Sequence, residues 1–78
     1  MSRYYFNIRS GNLLYEDPEG DDYASIEVAV EEAIAASREM TAESVKKGEL
    51  VIMRTFEITD TRGQVIATVP FSDAIKLK

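Results

Sequence analysis

Apolar positions along this chain recur at two periods, and each change of period marks an element. From Arg3 to Arg9 they alternate: Tyr4, Phe6 and Ile8 share one face, Tyr5 and Asn7 the other. Aromatic and β-branched residues favour extended backbone, so this is the first strand. Ser10-Gly11-Asn12 follows, and glycine beside asparagine suits a tight hairpin turn. The second strand, Leu13 to Glu16, is short, because Pro18 has no N–H to give a ladder. Asp17-Pro18-Glu19-Gly20-Asp21-Asp22 reads as an acidic loop with two structure breakers.

Between Ser25 and Gly48 the spacing becomes three and four. Ile26, Val30, Ala33, Ser37, Met40 and Ser44 form a helical stripe, widened by Ala29, Ala36 and Val45. Glu27, Glu31, Arg38, Glu39, Glu43 and Lys46 fall mostly opposite. The Ser25 hydroxyl is placed to accept from a free amide of the first turn. Val28 stands where a glutamate would complete a capping box. Lys46 and Lys47 suit the negative end of the helix, Glu43 and Lys47 make an i,i+4 pair, and Gly48 is the natural residue just past it.

Leu50 to Met53 lead into a third strand, Arg54 to Asp60, and a fourth runs Gln64 to Val69. Asp60-Thr61-Arg62-Gly63 reads as a type I turn with Gly63 left-handed. With Asp60 opposite Gln64, Ile58 faces Ile66 and Phe56 faces Thr68. The other face then carries Thr55, Glu57 and Thr59 beside Val65, Ala67 and Val69. Pro70 ends the strand. Phe71 and Ile75, four apart, anchor a short terminal turn, with Lys76 and Lys78 in solvent.

These elements predict one α+β domain over residues 1–78: a ββαββ order, an antiparallel sheet, and one long helix packed on one face. The second hairpin joins the first either through strand one or through an edge. A helix of about 22 residues spans roughly 33 Å, whereas a strand of about six spans roughly 20 Å. The helix is therefore expected to outrun its sheet, and it covers only one side of it. Both features point to a second copy of the chain as partner, in a dimer. The expected contact residues are Tyr5, Met40, Ser44, Val45, Thr55, Ala67 and Val69.

Composition supports association. The chain has 78 residues and neither cysteine nor histidine, which removes disulfides and the usual zinc and iron ligands. A domain this small is energetically marginal, so packing quality or oligomerisation must supply the rest. The net charge of −5, from 14 acidic and 9 basic residues, repels phosphate backbones and disfavours nucleic acid. No apolar run approaches the roughly 20 residues of a membrane span. Met1 to Phe6 carry a strand pattern rather than the apolar core of a signal peptide, so the expected location is cytoplasmic.

Candidate chemistry is sparse, and no catalytic residue, metal or cofactor is expected. Asp17, Glu19 and Asp21 alternate like the opening of a calcium loop. Asp22 and Val28, however, occupy the positions needing glycine and a bidentate glutamate, and Pro18 intrudes. A solvated turn with caps is the simpler reading. Arg3-Tyr4-Tyr5-Phe6 resembles a basic aromatic strand that stacks bases, but the other motifs of RNA-binding sheets are missing. Ser44-Val45-Lys46-Lys47 matches S-x-x-K formally, at a helix C-terminus whose dipole opposes a nucleophilic alkoxide.

The opening Met-Ser-Arg-Tyr-Tyr-Phe-Asn-Ile-Arg-Ser-Gly-Asn, the Asp17 to Gly20 segment, the alanine-bearing helix (Ala29, Ala33, Ala36), the Asp60 to Gly63 turn and the ending Val69-Pro70-Phe71-Ser72-Asp73-Ala74 form a combined pattern. It resembles a family of short alphaproteobacterial proteins, a domain of unknown function, over nearly the whole chain. Tyr23 and Ala24 stand where a Leu-Pro-like lead into the helix is frequent. The resemblance brings no activity, ligand or catalytic residue. The leading expectation is thus a non-enzymatic, self-associating interaction module. The alternative is an accessory protein binding a small anion or single-stranded nucleic acid through Arg3, Tyr5, Arg9 and Arg54.

Overall fold

The computed structural model describes residues 1–49 and 53–75. In chain order the elements are β1 (Ser2–Ser10), β2 (Leu13–Tyr15), β3 (Asp21–Tyr23), α1 (Ile26–Lys46), β4 (Thr55–Thr59), β5 (Val65–Pro70) and a 3₁₀ turn, Phe71–Ile75. The strands form one antiparallel sheet in the order β2-β1-β4-β5, with β3 also on β1. The fold is the expected α+β arrangement, and the second hairpin joins through strand one.

The acidic segment yields an additional strand. β2 pairs Ile8–Ser10 and β3 pairs Ser2–Tyr4, so the two lie end to end along one edge of β1 while residues 16–20 loop out between them. β3, with two aspartates in three residues, has little β propensity of its own. β1 is its template, and this is why Asp21-Asp22 are extended.

α1 begins as its sequence requires. The Ser25 hydroxyl accepts from the Val28 N–H at 3.3 Å. At the other end the Glu49 N–H donates to the Ser44 carbonyl at 2.8 Å and the Gly48 N–H to the Val45 carbonyl at 3.1 Å, the paired bonds of a Schellman closure. Ala29, Ala33, Ser37 and Ser44 are its buried residues. Each buried serine donates its hydroxyl back to a carbonyl three residues earlier, Ile34 and Thr41. Glu43 pairs with Lys46 rather than Lys47, at 3.9 Å and fully in solvent.

The core is the layer between α1 and the sheet. Phe56, Ile58, Val69, Phe71 and Ala33 are buried there, with Tyr4, Phe6, Ile8, Val30, Met40 and Ala67 packed around them. The ring of Phe56 meets that of Phe71 at 5.0 Å and that of Phe6 at 5.7 Å between centroids. The Phe71 N–H donates to the Arg54 carbonyl at 2.9 Å, and Arg38 Nε to the Ala74 carbonyl at 3.0 Å. The first bond ties the terminal turn to the start of β4, and the second ties it to α1.

Two expectations are corrected. First, a β-bulge between Ile58 and Thr59 shifts the β4–β5 register: Phe56 faces Val69 and Ile58 faces Ala67, not Thr68 and Ile66. The hairpin closes as expected, with the Asp60 N–H donating to the Gln64 carbonyl at 3.0 Å. Ile66 is then the extra residue, and Ala67 and Val69 turn to the helix side. Second, the helix does not outrun its sheet. α1 has 21 residues and β1 has nine, and both span about 30 Å. The expected lead-in over residues 50–52, the side chain of Ile75, and Lys76 and Lys78 lie outside the described residues.

Tyr23 closes the core at the β3 end, stacked on Phe6 at 5.4 Å with the rings 5° from parallel. Burial first, then the charges of Asp21, Glu32 and Asp17, raise its phenol pKa above the ordinary 10.0. The fold thus favours the neutral phenol. That contribution is complete below about pH 10 and is lost as pH climbs through the higher folded value. Urea midpoints measured from pH 8 to 11 should fall more steeply for the native protein than for Tyr23→Phe. Identical profiles would count against this account.

Candidate functional site

Alternation on β1 and β4 sends Tyr5, Asn7, Arg9, Thr55, Glu57 and Thr59 to the side away from α1. They form three cross-strand pairs: Tyr5 with Thr59, Asn7 with Glu57, and Arg9 with Thr55. This outer face is polar along its centre. Arg9 meets Glu57 at two points, Nε to Oε2 at 3.0 Å and Nη2 to Oε1 at 3.4 Å. The hydrogen bond to Glu57, and then its charge, raise the Arg9 pKa further. Arg3 reaches Asp22 at 3.4 Å and the Glu19 carbonyl at 2.6 Å. Both β1 arginines are thereby committed within the chain, and the basic aromatic strand offers an anion little free positive charge.

One end of this face carries a cleft of about 310 Å³. Its floor is Tyr5, Asn7 and Thr59. One wall is Glu16, Asp17 and Pro18, the other Asp60, Thr61 and Gly63. The walls are built by side chains that cap backbone. Asp17 Oδ2 accepts the Phe6 N–H at 3.1 Å, and its Oδ1 accepts those of Glu19 and Gly20 at 3.3 and 3.1 Å. The Asp17 N–H donates in return to Asn7 Oδ1 at 2.9 Å. Asp17 thus fills the break between β2 and β3 where β1 has no strand beside it. Opposite, Asp60 Oδ1 accepts from the Arg62 and Gln64 N–H groups at 2.9 and 3.0 Å. The acidic loop works as the solvated, capped turn that its sequence suggests.

The residues expected at an interface separate. Tyr5 and Thr55 lie half-buried on the outer face. Val69 is buried in the core and Ala67 packs against it, so neither is on a free surface. Ser44 is buried on α1, and Met40 packs on the core. Both border a second cleft, of about 340 Å³, with Glu39, Glu43, Glu49 and Arg54. Val45 stands in solvent at 66% exposure.

Sequence reasoning missed two features. Val65 and Ile66 remain 50% and 42% exposed on β5, an assignment that required the bulge. Thr59, alternating with Glu57 on a solvent-side pattern, is nonetheless only 6% exposed, because the cleft walls shelter it. The Asp60 turn motif was the available signal for a wall at that position.

Taken together, the chain is a small α+β domain with one helix layer, an open sheet face and turns held by aspartates. It belongs to the family described as Domain of unknown function (DUF6894), whose model matches residues 3–72. No curated protein and no solved structure matches it. Among the described residues, no helix is long and apolar enough to cross a membrane.

Proposed function

We propose that this domain is a non-enzymatic interaction module that pairs with a second copy of itself. The observation that carries the reading is the uncovered sheet face, where strand β5 exposes Val65 and Ile66 at the edge of the sheet. From Gly63 to Ser72 the sequence holds no charged residue, in a chain with 23 of them (14 acidic and 9 basic). A net charge of −5 opposes self-association, and an uncharged strand is where that repulsion is least. The contact we assign runs over Thr55, Val65 and Thr68 on the face, with Ile66 at the bulge. The helix end no longer supports it, since Met40 and Ser44 serve the protein's own packing. Against catalysis stand the lack of cysteine and histidine and the use of Asp17 and Asp60 as turn caps.

Sedimentation equilibrium at micromolar concentration tests the proposal. The expected mass is twice 8.8 kDa, returning to the monomer in Val65→Lys with an unchanged circular dichroism spectrum. A well-folded native monomer at every concentration overturns it.

A further inference from the structure

We propose that the cleft over Tyr5 and Thr59 binds an organic ammonium group, carried either by a free polyamine or by a lysine side chain. This goes beyond the pairing described above and does not depend on it. Three carboxylates, Glu16, Asp17 and Asp60, line the cleft, and no lysine or arginine does. Asp17 and Asp60 spend hydrogen-bonding capacity on backbone N–H groups, yet each keeps its negative charge at the cleft wall. Glu16 is exposed and makes no hydrogen bond or ion pair among the described residues.

The floor supplies an independent observation. Thr59 is more than nine-tenths buried and lines the cleft. No described group hydrogen-bonds its hydroxyl, and that oxygen is not among the sealed, partnerless ones, of which Thr41 Oγ1 is the described example. Solvent therefore reaches it, and because Thr59 lines the cleft it is an acceptor available at the cleft floor. An ammonium donor entering the cleft finds there an oxygen able to accept from it. Beside it the Tyr5 ring offers an aromatic surface to a cation. A volume of about 310 Å³ admits an alkylammonium chain and falls at the small end of ligand sites, roughly 300–1,000 Å³. An anion is repelled here, and a bare metal ion would have to displace backbone amides from Asp17 and Asp60.

The test is a titration of the ¹⁵N-labelled full chain with spermidine and, separately, with the tripeptide Gly-Lys-Gly, followed by amide shifts. Saturable shifts centred on Tyr5, Asn7, Thr59 and Thr61 are expected. Glu16→Gln, at an exposed position that leaves the fold intact, should weaken binding about two- to fivefold. Thr59→Val should weaken it about tenfold, the worth of one hydrogen bond to a charged donor. Glu31→Gln, on α1, should change nothing. Binding of spermidine alone assigns the site to a free polyamine, binding of the tripeptide alone to a protein side chain, and binding of both to the ammonium group itself. Shifts spread evenly over the acidic positions of α1, affinity unchanged in Glu16→Gln and Thr59→Val, or no saturable shift with either probe overturns the proposal.

Discussion

Phe71→Ala is expected to lower the unfolding free energy by about 3–5 kcal/mol. The side chain is completely buried, touches Phe56, and seats the terminal turn on α1. Truncation leaves a cavity that the sheet cannot close, because the backbone of Phe71 is itself bonded to Arg54. A domain of 78 residues at roughly 0.05–0.15 kcal/mol per residue has about 4–12 kcal/mol in total. The substitution therefore removes about a quarter of the stability at the least. Urea unfolding should show a much lower midpoint with a similar slope. A loss below about 1 kcal/mol would mean that the terminal turn is not docked as described.

The second large effect is expected at Gly20. Its φ is +68°, and a Cβ there would lie 2.8 Å from the Tyr4 carbonyl oxygen and from two ring carbons of Tyr5. The ring has room to turn, but the carbonyl belongs to the β1–β3 ladder and does not. Gly20→Ala should cost about 1–2 kcal/mol for the left-handed backbone and a further 1–3 kcal/mol, roughly, for the collision. Gly11→Ala is the matched control, since its φ is +61° and nothing lies within 4 Å. Thermal or urea denaturation of the two variants separates the terms. Equal losses would show that the contact with β1 contributes nothing.

Much of this architecture was legible because local chemistry and global packing agree. Ser25, the three-and-four spacing from Ile26 onward and Gly48 specify α1 almost to the residue. Asp60 and Gly63 specify the turn between β4 and β5 by short-range bonds. The bulge was not legible: both registers bury an apolar residue of β5, and the choice depends on how Val69 and Phe71 fill the space under α1. β3 was hidden for a related reason. Asp21 and Asp22 have no strand preference, and only the length of β1 makes them extended. The cleft combines both failures, since Thr59 becomes sheltered only once the loop over residues 16–20 and the turn over residues 60–63 stand on either side of it.

The carboxylate of Asp17 occupies the place beside Phe6 where an incoming chain would have to present a carbonyl. β1 is thereby closed along its outer edge, and the open backbone of the sheet is left to β5 on one side and to the three-residue strands β2 and β3 on the other, short edges of the kind that limit strand addition.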